Sequence, residues 1–350
     1  MTHGATEGLV DTLAGSGGRR VIAVFGAGAI GCWVGGRLAA GGATVRLIGR
    51  ARVMEEVRRG LRVTQLDGPE AIAAVEATTD PAAVAGAGVV LVAVKSAQTA
   101  EAGAQLARVL PAGATVVSLQ NGVRNHAVLR AALPQRRVLA AMVPFNVTRR
   151  GPGSYHRGTS GRLMIDDDPA AVPLLEACRA AGLAIEPRGD MAAVQWAKLV
   201  LNLNNAINAL SGQPLAAQLA QRGFRRCIAA AQREALAALR GVRQPLARLT
   251  AIPPAWMPRL LTLPDAVFSR LAGRVVAVDP HARSSMWDDL EAGRPTEIAY
   301  LQGEIVALAE QLGRTAPINR ALVGMIRAAE AGGRRDYAAA ELCAALGVTS

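Results

Sequence analysis

Val21-Ile22-Ala23-Val24-Phe25-Gly26-Ala27-Gly28-Ala29-Ile30-Gly31 decides how the rest of this 350-residue chain is read. A short run rich in β-branched residues leads into three glycines spaced G-x-G-x-x-G. An apolar helical stretch follows from Cys32 to Ala40, Gly41-Gly42 ends it, and Thr44–Ile48 is the next β run. Strand, glycine turn, helix and strand within about thirty residues is the context in which this spacing carries weight. There Gly26 permits a tight turn, Gly28 lets backbone approach a pyrophosphate, and Gly31 lets the helix pack on the strand. The helix N-terminus adds free N–H groups and partial positive charge for phosphate. The loop Gly26, Ala27, Gly28, Ala29, Ile30, Gly31 is therefore the candidate dinucleotide site.

The second strand suggests which dinucleotide. A site for NAD places Asp or Glu at its end, for the ribose hydroxyls. Here the strand ends Leu47-Ile48-Gly49-Arg50, with Arg52 just beyond. A carboxylate would repel a 2′-phosphate, whereas a guanidinium grips it with a bidentate fork, so Arg50 points to NADP(H).

Working outward, strand and helix signals keep alternating. Val89–Val94, Thr115–Leu119 and Val138–Val143 read as strands, and Thr99–Leu110 and Asn125–Leu133 as helices. That alternation predicts a parallel, doubly wound Rossmann sheet. Ser154–Ile165 reads as hairpin strands with Gly158 and Gly161 at the turns. Near Asp190 the texture turns helical. Asp190 is placed to cap a long helix through Trp196 and Lys198 to about Leu210, stopped by Ser211-Gly212. Gly223–Leu239 and Tyr300–Leu312 follow as helices, and prolines 245, 253, 254, 258, 264 and 280 break the stretch between them into short pieces. The expected organisation is a loose tail over 1–18, an α/β NADP-binding domain over 19–188, and an all-helical substrate domain over 189–350.

Composition bounds the function. Hydrophobic residues make up 51% and charged residues 19%, as in a folded globular chain. No apolar run nears the ~20 residues of a membrane helix. Glu7 and Asp11 interrupt the first twenty residues, unlike a signal peptide. Cys32, Cys178, Cys227 and Cys343 are scattered, which fits reduced thiols in the cytoplasm and neither a disulfide frame nor a metal site. The net charge of +12 comes from arginines spread along the whole length, without the aromatic-studded stripe of a nucleic-acid binder. Lysine stands only at Lys95 and Lys198, among 39 basic residues. Arginine keeps its proton in a protein and lysine can release it, so these two are candidates for chemistry.

Lys198 lies just before a concentration of asparagine. Four of the eight asparagines are Asn202, Asn204, Asn205 and Asn208. At 100° per residue, Lys198, Asn202 and Asn205 share one helix face, Asn208 sits at its margin and Asn204 points elsewhere. Leu199, Val200, Leu201 and Leu203 make the other sides apolar. A buried amide row needs partners, which a small polar substrate or an internal polar network would supply.

Taken in order, these motifs resemble the ketopantoate (2-dehydropantoate 2-) reductases over nearly the whole chain after the tail. The resemblance rests on Gly26-x-Gly28-x-x-Gly31, Arg50, Val94-Lys95-Ser96, Gln120-Asn121-Gly122, Trp196-Ala-Lys198-Leu199 with the asparagines after it, and Ser284-Ser285-Met286 leading to Arg294-Pro-Thr296-Glu297-Ile298. It implies an oxidoreductase of pantothenate and coenzyme A biosynthesis. Hydride would pass from NADPH to the ketone of 2-dehydropantoate, with Lys198 as general acid. It also implies that Lys95 and Asn121 lie beside the cofactor, that Asn121, Asn202 and Ser285 contact substrate, and that Glu297 is an active-site acid touching cofactor or substrate. The family's second amide, eight residues after the lysine, is here Ala206, which leaves Asn205 or Asn208 to serve. The implied partner is a small 2-oxo acid, with neither nucleic acid nor membrane; a homodimer is compatible with such a chain. The rival readings are a related NADP-dependent hydroxy-acid or polyol-phosphate dehydrogenase, and a dinucleotide sensor without turnover.

Overall fold

The computed structural model describes residues 21–66, 68–272 and 282–349. The expected tail, and Pro280 of the proline-rich stretch, lie outside these residues.

In chain order the first part contains β1 (Val21–Phe25), α1 (Ala29–Ala40), β2 (Val45–Ile48), α2 (Ala51–Arg58), β3 (Leu61–Gln65), β4 (Ala71–Ala73), β5 (Glu76–Thr78) and β6 (Ala87–Val92). It continues through α3 (Thr99–Val109), β7 (Thr115–Ser118), α4 (Asn125–Ala132), β8 (Arg137–Met142), β9 (Val147–Gly151), β10 (Ser154–Arg157), β11 (Leu163–Asp166), α5 (Val172–Ala180) and β12 (Ile185–Arg188). Eight strands form one sheet in the order β12-β11-β8-β7-β6-β1-β2-β5, parallel except where β11 meets β8. The central strands are buried on both faces, which is why Ala87–Val92 reads as a continuous apolar run. Separate apolar cores cover the two faces. The chain leaves β1 for β2 on one side and returns to β6 on the other. That reversal opens a crevice at the strands' carboxyl ends, where ligands bind in sheets of this kind.

The second part is helical: α6 (Met191–Asn202), α7 (Asn204–Ser211), α8 (Leu215–Ala220), α9 (Arg222–Gly241), α10 (Met257–Leu261), α11 (Asp265–Ala272), α12 (Ser285–Glu291), α13 (Gln302–Gln311), α14 (Pro317–Glu330) and α15 (Ala339–Ala345). Phe224, Leu203, Leu210, Ile305 and Leu322 belong to its core. A small shared cluster, Ala140 and Met142 of β8 with Met191, Val194 and Ala197 of α6, joins the two parts. The helical part thereby packs on the sheet close to the carboxyl end of β8.

Three local expectations are corrected. Ser154–Ile165 is not a hairpin. β10 pairs with β9 and β3 in a second, four-stranded sheet, and β11 joins the main sheet, so the glycines between them carry the chain from one sheet to the other. The helix from Asp190 is not continuous to Leu210: it breaks at Leu203, and α7 begins at Asn204. Asp190 stands at the N-cap position, but its carboxylate pairs with Arg188 and makes no cap hydrogen bond. The apolar continuity from Leu199 to Leu210 hid the break, since both helices bury into one core.

Candidate functional site

The glycine loop has a division of labour. Gly26 has φ +106°, and a Cβ there would lie 2.5 Å from the Val94 backbone nitrogen. A Cβ at Gly31 would lie 2.4 Å from the Gly26 carbonyl oxygen. The fold itself demands both glycines. Gly28 differs: it is the N-cap of α1 with φ −82°, and a Cβ there would meet nothing within 4 Å. Packing and backbone strain do not explain this glycine. A ligand against the backbone does, and no side chain caps α1, which leaves the first-turn N–H groups for an anion. The loop therefore fits a dinucleotide pyrophosphate.

Arg50 is exposed at the N-cap position of α2. Its neighbours are occupied: Arg46 pairs with Glu76, Arg52 with Glu56, Arg59 with Glu55, and Arg58 donates to the Ala77 carbonyl. Among the described residues no such partner is found for Arg50.

Lys95 and Ser96 follow β6, and Asn121 follows β7, both at the carboxyl edge. They meet residues of the helical part. Glu297, 8% exposed, accepts from the Ser96 N–H at 3.1 Å and from the Ser96 Oγ at 2.7 Å through Oε1, and from Asn121 Nδ2 at 3.2 Å through Oε2. With three donors on its two oxygens it serves as an acceptor. Behind it, buried Asn125 donates to Ser96 Oγ and to the Asn121 carbonyl, and accepts from Thr99 Oγ1 at 2.8 Å. One asparagine thus ties together the two loops that hold Glu297. Lys95 Nζ lies 2.6 Å from Asp289 Oδ2 and 3.9 Å from Glu297 Oε2.

α6 carries the second lysine. Lys198 Nζ lies 3.4 Å from the Pro144 carbonyl oxygen, which follows β8, and no carboxylate pairs with it among the described residues. Burial without an ion partner disfavours the charged form and lowers its pKa from 10.5 to about 8. One turn on, buried Asn202 donates to Asn121 Oδ1 at 3.5 Å. The chain Asn202–Asn121–Glu297 therefore runs from the lysine helix across to the residues after α12.

The two remaining amide candidates separate. Asn208 is wholly buried and engaged: its Oδ1 accepts the Ser284 N–H at 2.9 Å, and its Nδ2 donates to Gln213 O and Gln218 Oε1. It is a strut that positions the start of α12. Asn205 is half-buried, with no side-chain hydrogen bond among the described residues. Its carbonyl accepts from Ser284 Oγ at 3.1 Å, which sets it beside Ser285, the half-buried first residue of α12. Ala206 is fully buried. Asp289 and the bracing role of Asn125 were missed in the sequence. The available signal for Asp289 was its place four residues after Ser285, on the same helix face.

Residues 22–169 match the family described as Ketopantoate reductase PanE/ApbA, and residues 190–330 match its C-terminal counterpart. The chain belongs to this family. It is an oxidoreductase. A 2-dehydropantoate 2-reductase from Halobacterium salinarum is 32% identical over 323 residues, covering 89% of this chain and 99% of that relative. Among solved structures, a PanE/ApbA family ketopantoate reductase from Ralstonia eutropha JMP134 superposes with a TM-score of 0.77 at 32% identity, covering 89% of this reductase chain and 99% of its own. D-mandelate dehydrogenase with NADH and anilino(oxo)acetate superposes at 0.76 with 19% identity over 89% and 99%, a likeness of fold alone. No helix of the described residues is long and apolar enough to cross a membrane.

Proposed function

We propose that this chain reduces 2-dehydropantoate to pantoate with NADPH, in the cytoplasm, on the route to pantothenate and coenzyme A. The α/β part over 19–188 holds the cofactor and the helical part over 189–350 supplies the acid. The observation that carries the reading is Lys198: a lysine with a pKa of about 8, unpaired by carboxylate, facing the carboxyl edge of a sheet whose glycine loop has an open cradle at Gly28. The Gly26–Gly31 backbone would hold the pyrophosphate and Arg50 the 2′-phosphate. NADPH, when bound, supplies the hydride. Lys198 stabilises the oxygen of the ketone as negative charge grows on it, and delivers the proton that makes it a hydroxyl. Asn121 and Asn202 bind the substrate from one side, Asn205 and Ser285 from the other. Glu297 fixes the Asn121 amide and lies beside Lys95, which contacts the cofactor.

The test is NADPH oxidation with 2-dehydropantoate, beside a panel of aryl and alkyl 2-oxo acids and sugar phosphates. Turnover is expected to be highest with 2-dehydropantoate. A preference for a different 2-oxo acid would overturn the substrate, and turnover with none would overturn the enzyme reading.

A further inference from the structure

The carboxylates around Lys95 present a choice. Lys95 is 44% exposed and reaches from the β6 loop toward the helical part. Among the described residues two carboxylates lie within 4 Å of its ammonium: Asp289 at 2.6 Å and Glu297 at 3.9 Å. The Glu297 oxygen nearest Lys95 is Oε2, which also accepts from Asn121 at 3.2 Å. An ammonium is a stronger donor than an amide, so a Lys95 free to settle on Glu297 would compete with Asn121 for that oxygen. Asp289 lies closer to Lys95, and it is fixed. It is 2% exposed on α12, and its other oxygen is held by Arg294 Nε at 3.2 Å. The Arg294 N–H also donates to the Asp289 carbonyl at 2.8 Å. Asp289 is anchored, and Lys95, on a flexible stem, comes to it.

We infer that Asp289 is a positioning residue of this active site: it holds the Lys95 ammonium off Glu297, and so leaves Glu297 to fix Asn121 and, through it, Asn202. This inference rests on the function proposed above. Without the Asp289 charge, Glu297 is the nearest remaining carboxylate. Lys95 moves onto it, Oε2 turns from Asn121, and the Asn121–Asn202 contact at 3.5 Å loses its support.

The experiment uses the full chain. Asp289→Asn is expected to lower kcat/KM for the 2-oxo acid about tenfold or more, measured at saturating NADPH. Asp289→Glu keeps the charge and is expected to retain most of the activity. A residue that merely filled space in the fold would be served better by the isosteric Asn than by the longer Glu. Wild-type kcat/KM in Asp289→Asn, or an Asp289→Glu variant no better than Asp289→Asn, would overturn the inference. Asp289→Ser serves the same comparison if the Asn variant does not fold. A crystal structure of Asp289→Asn reads the effect without turnover: Lys95 Nζ is expected at hydrogen-bond distance from Glu297. A Lys95 still seated beside residue 289 refutes the inference even in an inactive protein. A wild type that oxidises NADPH with no 2-oxo acid refutes only the functional reading.

Discussion

Lys198 and Gly28 are the residues on which the chemistry can be tested most sharply. An arginine replaces the charge of a lysine but cannot give up its proton near neutral pH. If Lys198 is the general acid, Lys198→Arg and Lys198→Ala both lose about 10²-fold or more in kcat while binding NADPH normally. On that reading the protonated Lys198 is the active form, and with its pKa lowered to about 8 wild-type kcat/KM is expected to fall above that pH. The basic limb should vanish in both variants; a Lys198→Arg enzyme with high kcat and the same pH profile rules the residue out. The same shift bears on stability with a definite sign. Between about 8 and 10.5 the unfolded chain keeps a proton that the folded one has released, so this group makes stability rise with pH there. Gly28→Val adds a side chain where a Cβ meets nothing within 4 Å, so the fold should be retained and binding of NADPH or NADH lost. Titration calorimetry showing normal NADPH binding by that variant would take the loop out of the site. If Arg50 holds the 2′-phosphate, Arg50→Ala should weaken NADPH far more than NADH.

At the scale of elements, the decisive feature is how α7 and α12 are held together. The break at Leu203 restarts the helix, and α7 then buries Ala206 and Asn208 while leaving Asn205 half-exposed beside α12. Asn208 closes that junction with its three hydrogen bonds to Ser284, Gln213 and Gln218. Asn208→Ala leaves the buried Ser284 N–H and Gln218 oxygen without these partners, at a cost of roughly 1–3 kcal/mol each before relaxation. Urea unfolding should show a lower midpoint at unchanged slope. A variant as stable as wild type would mean the three bonds contribute nothing net.

At the scale of the whole molecule, the site exists only because two parts of the chain close on each other. Ser96 and Asn121 reach Glu297, Arg124 meets Glu304, and Lys95 meets Asp289, each pair spanning more than 170 residues of sequence. A cofactor that binds only the folded protein stabilises it by about 2.7 kcal/mol at a hundredfold excess over its dissociation constant. NADPH should therefore raise the thermal midpoint of wild type and leave that of Gly28→Val where it is. An equal rise in both would contradict a site built on the glycine loop.

The sequence by itself determined the α/β sheet followed by helices, the glycine loop, and the two lysines as chemical candidates. The reason is local: a period of two or of 3.6, a glycine where only glycine fits, and a rare residue type are written within a few neighbours of each position. Three things had no such local mark. β10 pairs with β9 and β3 in a second sheet while β11 pairs with β8 and β12 in the main one, and these distant partners leave no mark within the Ser154–Ile165 segment, which therefore read as one hairpin. The break at Leu203 has no local mark, since Leu203 keeps helical φ and ψ and both helices enter one core, and only the tertiary partners showed Asn208 to be a strut and Asn205 to lie half-buried beside α12. The partners of Glu297 and Lys95 come from the other part of the chain, and hydrogen bonds over such separations form only once both parts have folded against each other. Tertiary structure alone therefore decided that Glu297 serves as an acceptor and that Asp289 stands beside Lys95.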